Sequence, residues 1–179
     1  MSRPRRIIIG ANGSPGSIRA LRYAEDLARF SDATLVPVIA WTPPGGEMAE
    51  RRAPSGELRR VWAQAARDRL QAALDAAWAG VPDGLSVRGI IARGEPGPVL
   101  VDEADSGDDV LVLGTGRRTL RSRLVSGRVT RYCLRHASCP VLAVPPAALS
   151  GSTGLRSWAF RHRELTLDRA LREWDRTAA

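Results

Sequence analysis

Short apolar runs alternate with helix-like segments along this chain, and that alternation restricts the folds open to it. Five runs bounded by turn residues predict strands at 6–12, 34–41, 85–92, 110–113 and 140–144. The intervening segments repeat apolar residues at helical spacing, most clearly from Leu58 to Ala77. Strands that alternate with helices form right-handed β-α-β units, so the sequence predicts a parallel α/β sheet with helices on both faces. The third run is the most polar and is a candidate edge strand. In the second run, Pro37 has no backbone N–H to donate to the hydrogen bonds between strands.

Two glycine-containing loops follow the first and fourth predicted strands. They are Gly10-Ala-Asn-Gly13 and Gly114-Thr-Gly116. Ligands bind at the carboxyl ends of parallel strands, so one crevice collects both loops if the two strands are neighbours. Gly127 then opens a helix predicted to run to about His136, and free N–H groups at a helix start favour an anion such as phosphate. Spacing alone leaves two interpretations open: a phosphate-handling loop, or two ordinary strand–helix turns.

Arginine dominates the charge of the chain. The sequence has no lysine, so all 27 basic residues are arginine, and the net charge is +8. Seven arginines and no acid lie between Arg117 and His136. Arginine at that density suits phosphate on a nucleotide, a polyanion or a nucleic acid, because the guanidinium contacts oxyanions in a bidentate manner. A coding bias that makes arginine the default surface cation explains part of the excess as well.

Several protein classes are excluded by the sequence. No apolar run approaches the roughly 20 residues that a membrane-spanning helix needs. The run Ile7–Ile9 is too short for a signal-peptide core, so we expect a cytoplasmic protein that does not contact a membrane. Cys133 and Cys139 are the only cysteines, and without a metal-binding spacing they are expected to be buried, reduced thiols.

Candidate catalytic and metal-binding groups have plainer explanations. A Walker loop needs a lysine, which the chain lacks. No motif surrounds His136 or His162, and Ser14 is better explained as a helix cap than as a nucleophile. We therefore predict that the protein is not an enzyme. A solvated helix end that balances the arginines is a better explanation than a metal site for the acidic cluster of Asp102, Glu103, Asp105, Asp108 and Asp109.

Three stretches of the chain resemble the universal stress protein family. The first, at 7–17, reads Ile-Ile-Ile-Gly-Ala-Asn-Gly-Ser-Pro-Gly-Ser, and the second, at 35–44, reads Leu-Val-Pro-Val-Ile-Ala-Trp-Thr-Pro-Pro. The third, at 110–145, ends in Arg-Tyr-Cys-Leu-Arg-His-Ala-Ser-Cys-Pro-Val-Leu-Ala-Val-Pro. The resemblance implies an adenine nucleotide alpha hydrolase-like fold, a five-stranded parallel sheet in the order 3-2-1-4-5. It also implies a homodimer that pairs along the last strand, Pro140–Val144.

Nucleotide-binding members of that family carry a glycine, two residues, a second glycine, nine residues and then Gly-Ser or Gly-Thr. Gly114 and Gly127 match the first and third glycines, whereas the second falls on Arg117 and the hydroxyl position on Arg128. The acid that follows the first strand in the family is Asn12 here. The resemblance implies a nucleotide site formed by Ala11, Asn12, Ala40, Gly114, Gly116, Arg117, Gly127, Arg128, Val129 and Thr130.

These departures leave open whether ATP still binds. The Arg117 side chain either fills the phosphate space or pairs with phosphate through its guanidinium, and Arg128 is a second candidate for such pairing. Thr130 keeps a hydroxyl two residues beyond the family's position, and Asn12 keeps one acceptor for the base or the ribose. We predict that ATP or a related adenine nucleotide binds weakly at best.

Two functions are consistent with these features. The first is a non-catalytic stress-response protein that senses or stores a nucleotide and signals through dimerisation. The alternative is an interaction module without nucleotide, whose arginine-rich face binds an acidic protein partner or nucleic acid. Nucleic acid is disfavoured because Tyr132 is the only aromatic residue from Arg117 to His136. Residues 1–146 are predicted to form the family-like domain, and residues 147–179 a linker and a C-terminal helical extension.

Overall fold

Five strands and five helices make up the part of the chain that the computed structural model describes, residues 3–115 and 122–145, with only the backbone of 122–126. The predicted extension at 147–179 lies outside the described residues. The strands are β1 (Arg6–Gly10), β2 (Thr34–Trp41), β3 (Ile90–Arg93), β4 (Asp109–Gly114) and β5 (Val141–Val144). The helices are α1 (Pro15–Ser31), α2 (Gly46–Arg52), α3 (Gly56–Trp78), α4 (Pro96–Glu103) and α5 (Ser122–His136).

All five strands form one parallel sheet in the order β3-β2-β1-β4-β5. The predicted fold class, the strand order and the edge position of β3 are confirmed. Ile7, Ile8 and Ile9 of the central strand are completely buried, because both faces of the sheet are covered. Ile7 and Ile9 pack with residues of α1 and α3, and Ile8 packs with residues of α4 and α5. Since β1 and β4 are neighbours, the loops that follow them lie at the same edge of the sheet.

Pro37 occupies the inner strand β2, a position that proline seldom takes because it has no N–H to donate. The pairing between β2 and the chain that leads into β3 is interrupted at this point. Leu35 bridges Val87, and regular pairing resumes only at Val38 with Ile90. The proline therefore falls opposite a gap in the ladder, and β3 is shorter than the strand predicted from the sequence.

The segment at 42–56, whose proline and glycine residues predict a surface loop, contains the short helix α2 instead. Two ion pairs hold this short helix. Glu47 accepts hydrogen bonds from Arg93, at the end of β3, with N···O distances of 3.0 and 2.6 Å. Glu50 is buried and pairs with Arg59 of α3. Both partners lie outside the segment, so its own proline and glycine content could not reveal the helix.

Candidate functional site

A cavity of about 150 Å³ opens at the carboxyl edge of the sheet, where β1, β2 and β4 end. Helices α1, α4 and α5 supply the remaining walls. The position agrees with the general rule that ligands of parallel sheets bind beyond the carboxyl ends of the strands. The lining residues are Gly10, Ala11, Asn12, Ser14, Ser17, Val38, Ala40, Pro96, Leu100, Leu113, Gly114, Val129 and Thr130.

Six of the ten predicted site residues line this cavity, two do not, and two lie outside the described residues. The six are Ala11, Asn12, Ala40, Gly114, Val129 and Thr130. Gly127 and Arg128 lie in α5 but are not among the lining residues. Gly116 and Arg117 lie outside the described residues. The structure therefore brings together the predicted residues of β1, β2 and the middle of α5.

Sequence reasoning missed the wall formed by α4, through Pro96 and Leu100. A signal was present in the segment Gly94-Glu-Pro-Gly-Pro98, because it follows β3 directly. A helix that starts at the carboxyl end of a parallel strand starts at the same edge of the sheet as the two glycine loops. The sequence of that segment did not indicate that side chains of α4 would line the cavity.

Gly127 does not open a helix, which corrects the prediction made from its spacing. Helix α5 begins at Ser122, so Gly127 lies more than a turn inside it. A Cβ at Gly127 would meet only the guanidinium of Arg131, at an ordinary contact distance of 3.7 Å. The N–H of Gly127 is therefore not one of the unpaired donors of a helix start. A phosphate site that relies on this glycine as a helix start is not supported.

Gly114 is explained by packing between two backbone segments. A Cβ at this position would overlap with the backbone carbonyl group of Gly16, in the first turn of α1. A Cβ on Gly16 would in turn lie 3.2 Å from the carbonyl oxygen of Thr115. The end of β4 and the start of α1 thus approach each other backbone to backbone, which only glycine allows. This contact brings the start of α1 to the cavity.

Asn12 lies at the exposed rim of the cavity, and its acceptor oxygen is already in use. Its Oδ1 accepts a hydrogen bond from the N–H of Ser14 at 3.0 Å, which closes a turn. The Ser14 hydroxyl oxygen then accepts from the N–H of Ser17 at 3.2 Å, which confirms its predicted role as the cap of α1. The Oδ1 keeps a second lone pair and the Nδ2 two N–H donors, so the prediction that Asn12 offers an acceptor to the base or ribose stays open.

The cavity combines an apolar wall with a polar rim. Small and branched apolar side chains form the wall: Ala11, Val38, Ala40, Leu100, Leu113 and Val129. The rim carries the amide of Asn12 and the hydroxyl group of Ser14, and the hydroxyl groups of the buried Ser17 and of Thr130 also line the cavity. The start of α1 adds the partial positive charge of a helix N-terminus. Such a site suits a ligand with a flat apolar ring at one end and a polar or anionic group at the other.

Ionisable side chains are missing from the described lining of the cavity. Cys133 and Cys139 are buried thiols, as predicted. Burial raises the pKa of Cys133 to about 11 and also raises the pKa of Cys139, so both thiols stay protonated near neutral pH. His136 is exposed on α5, where its ring stacks on Tyr132 with centroids 4.1 Å apart. Residues 3–115 and 122–145 contain no group of three or more His, Cys, Asp or Glu side chains that could hold a metal ion.

Part of the acidic cluster has a structural role at the opposite edge of the sheet. The buried carboxylate of Asp109 accepts hydrogen bonds from Arg6 Nε at 2.8 Å and Nη2 at 2.6 Å. Asp105 pairs with the same guanidinium at 2.7 Å. The Asp109 carboxylate thereby raises the pKa of Arg6. Asp109 joins the start of β4 to the start of β1, so the expectation of a solvated helix end was wrong for this residue.

Comparisons with known proteins agree with the fold. The model of the universal stress protein family matches residues 4–145. The chain is similar to a solved universal stress protein in complex with cAMP, with 26% identity and a TM-score of 0.51, over 82% of this chain and 100% of that one. No curated protein matches the sequence significantly.

Two further solved structures are similar in fold. The first is the hypothetical protein MJ0577, with 19% identity and a TM-score of 0.64, over 82% of this chain and 99% of that one. The second is UspA from Lactobacillus plantarum, with 22% identity and a TM-score of 0.60, over 80% of this chain and 99% of that one. Within the described residues, no helix has the length and apolar character needed to cross a membrane.

Proposed function

This chain belongs to the universal stress protein family, and from that premise we propose that it is a cytoplasmic stress-response protein that binds an adenine nucleotide weakly and does not hydrolyse it. One observation carries the proposal. The cavity unites the ends of three strands with the start of α1, and thereby places an apolar wall beside hydrogen-bond donors and a helix dipole. The similarity to a universal stress protein that was solved with cAMP supports an adenine nucleotide as the ligand class.

The apolar wall is suited to the adenine ring. Ala11, Val38 and Ala40 line the cavity with small apolar side chains, and Leu100 of α4 adds a larger one; the space that they border is called the apolar slot below. A planar ring in such a slot removes apolar surface from water on both of its faces, which is the main source of affinity in sites of this kind. The Nδ2 donors of Asn12 at the rim are placed to meet a ribose or ring acceptor.

The polar side of the cavity is suited to a phosphate group. The start of α1 attracts an anion, and the described lining contains no carboxylate that would repel one. Against strong binding, the family's second glycine and its hydroxyl position are Arg117 and Arg128 in this chain. Arg128 is exposed and does not line the cavity. We therefore expect dissociation constants above about 1 μM for every adenine nucleotide.

The chemistry of the described lining supports the proposal that the nucleotide is not hydrolysed. Hydrolysis of a phosphate ester needs a positioned nucleophile or base, usually with a metal ion that neutralises the developing charge. The described lining has hydroxyl and amide groups but contributes no ionisable side chain of its own to act as such a base. The groups at the rim can bind and orient a nucleotide, and a sensor or store of nucleotide needs no more than that.

Isothermal titration calorimetry with ATP, ADP and cAMP tests the proposal. Ala40→Phe fills the apolar slot, so it should abolish whatever heat of binding the unaltered protein shows. Ala72→Phe is the matched control, because the same change falls on the exposed face of α3, away from the cavity. Equal binding by the two variants would contradict the assignment of the cavity, and sub-micromolar affinity for any of the three would contradict weak binding.

We also propose that the protein is a homodimer that pairs along β5. Among the described strands β5 pairs only with β4, at the end of the sheet. Pro140 O accepts from Leu111 N–H, and Val144 O accepts from Thr115 N–H, so these residues direct their backbone groups toward β4. Because such groups alternate along a parallel strand, those of Ala143 face the open edge.

Ala143→Pro provides a selective test of this dimer. The proline removes an N–H at the open edge and leaves the bonds between β4 and β5 intact. Size-exclusion chromatography with light scattering should show a dimer for the unaltered protein and for the control Ala143→Ser, which keeps the N–H. The Ala143→Pro variant should be a monomer. A dimer that survives this substitution would refute pairing along β5.

A further inference from the structure

The side of α5 that faces away from the sheet forms a distinct surface. The opposite side of the helix packs inward, with Cys133 completely buried. Tyr132 packs against α4, where a Cβ on Gly97 would lie only 2.8 Å from the tyrosine ring. Arg128, Arg131, Leu134 and Arg135 are exposed on the side away from Cys133, and together they are called the α5 outer face below; His136 is also exposed, but its ring stacks on Tyr132.

The charges of the α5 outer face are not neutralised by any described residue. Arg6, Arg29, Arg59 and Arg93 each form an ion pair with a carboxylate. Within residues 3–115 and 122–145 the three arginines of the outer face form none. No acidic residue lies from 127 to 138 either. At a rise of about 1.5 Å per residue, the three guanidinium groups start from points that span roughly 10 Å of the helix.

Leu134 distinguishes this surface from a simple cationic strip. Its side chain is 60% exposed, although a leucine of that exposure gains nothing for the isolated chain. On a helical projection, it lies one turn from Arg131. Arginine is enriched among the residues that carry the affinity of protein–protein contacts, and burial of Leu134 in such a contact would remove apolar surface from water.

The same surface is poorly suited to nucleic acid. Single-stranded nucleic acid is held by aromatic side chains on which bases stack. Tyr132, the one aromatic residue of this helix, is already covered by Gly97 on one side and stacked on His136. The phosphate groups of a nucleic acid would pair with the arginines, but Leu134 would stay exposed to water.

We infer that the α5 outer face is a docking surface for an acidic, amphipathic helical segment of a partner protein. Carboxylates of that segment pair with Arg128, Arg131 and Arg135, and an apolar side chain covers Leu134. The inference goes beyond nucleotide binding, because none of these four residues lines the cavity, to which the described side chains of α5 contribute Val129 and Thr130. A partner can therefore bind whether or not the cavity is occupied.

Fluorescence anisotropy with a defined probe tests the inference. The probe is a fluorescein-labelled synthetic helix of Glu, Ala and Leu, with its Leu residues in one row between rows of Glu. The double substitution R131Q/R135Q removes two charges and should weaken probe binding roughly tenfold or more, since each pair is charge-assisted. The matched control R67Q/R69Q removes two exposed arginines of α3 and should change affinity less than about twofold, as exposed charges far from the contact contribute little.

A third variant and two other probes separate the possible sources of binding. Leu134→Ala should weaken binding of the Leu-containing helix and leave binding of poly-L-glutamate unchanged. Tighter binding of the peptide than of oligothymidylate, or of vesicles that contain phosphatidylserine, supports a protein partner. The inference is overturned if R67Q/R69Q weakens binding as much as R131Q/R135Q, if Leu134→Ala has no effect, if oligothymidylate or the vesicles bind as tightly, or if the peptide does not bind.

Discussion

Gly114→Ala tests whether the close approach of β4 and α1 builds the site. The added Cβ would overlap with the backbone carbonyl of Gly16, so no rotation of a side chain can relieve the contact. Overpacking of a core costs up to about 3 kcal/mol. The gain from replacing glycine in a strand offsets roughly 0.5 to 1 kcal/mol of this. We expect the free energy of unfolding to fall by about 2 kcal/mol, and the melting temperature by about 4 to 8 °C.

Two matched glycine variants calibrate this expectation. A Cβ at Gly10 would lie 2.9 Å from Leu113 Cδ2, which is the end of a side chain that can move. Gly10→Ala should therefore cost less, about 1 kcal/mol or below. A Cβ at Gly107 would meet nothing within 4 Å, so Gly107→Ala should change stability by less than about 0.5 kcal/mol.

Urea denaturation followed by circular dichroism measures all three variants. The predicted order of stability is Gly107→Ala, then Gly10→Ala, then Gly114→Ala. If Gly114→Ala is as stable as Gly107→Ala, the backbone contact between β4 and α1 does not exist as described. In that case a glycine at this position would have to be explained by contact with a ligand rather than by packing.

Three other properties of the structure lead to measurable effects. Since burial raises the pKa of Cys133 from 9.0 to about 11, the unfolded state ionises first as the pH rises. Between about pH 9 and pH 11 the free energy of unfolding should therefore decrease as the pH rises. Urea titrations at several pH values should show a smaller decrease for Cys133→Ala. Asp109→Asn breaks a buried ion pair and should cost about 2 kcal/mol, whereas the exposed control Asp102→Asn should cost almost nothing; equal melting temperatures would contradict this. Glu47→Gln releases Arg93 and should speed hydrogen exchange of the α2 amides, which unchanged exchange rates would disprove.

The sheet and the position of the cavity were accessible from the sequence for simple reasons. Short β-branched runs such as Ile7–Ile9, followed by turn residues, indicate strands buried on both faces, and the handedness of β-α-β units limits how they connect. Ala11 and Asn12 then had to lie at the carboxyl edge, because they follow β1 directly. The strand order itself depended on the resemblance to a known family.

The details of the site depend on contacts between distant parts of the chain, which local patterns do not encode. Helix α2 is held by Arg93, which lies 46 residues from its partner Glu47. The orientation of the Asn12 amide depends on the hydrogen bond that its oxygen accepts from the N–H of Ser14. Gly127 was assigned to a helix start because glycine often marks one, but α5 tolerates it in its interior at a cost of about 1 kcal/mol relative to alanine.

Nuclear magnetic resonance of the ¹⁵N-labelled protein during a titration with ATP tests the central claim most directly, because it locates a weak ligand residue by residue. If the cavity binds an adenine nucleotide, saturable shifts will appear at the amides of Ala11, Asn12, Ala40 and Thr130. The amides of Arg67 and Arg69 on α3 should not move. Saturable shifts elsewhere with none at the cavity residues, or no shifts at millimolar ATP, would contradict the account.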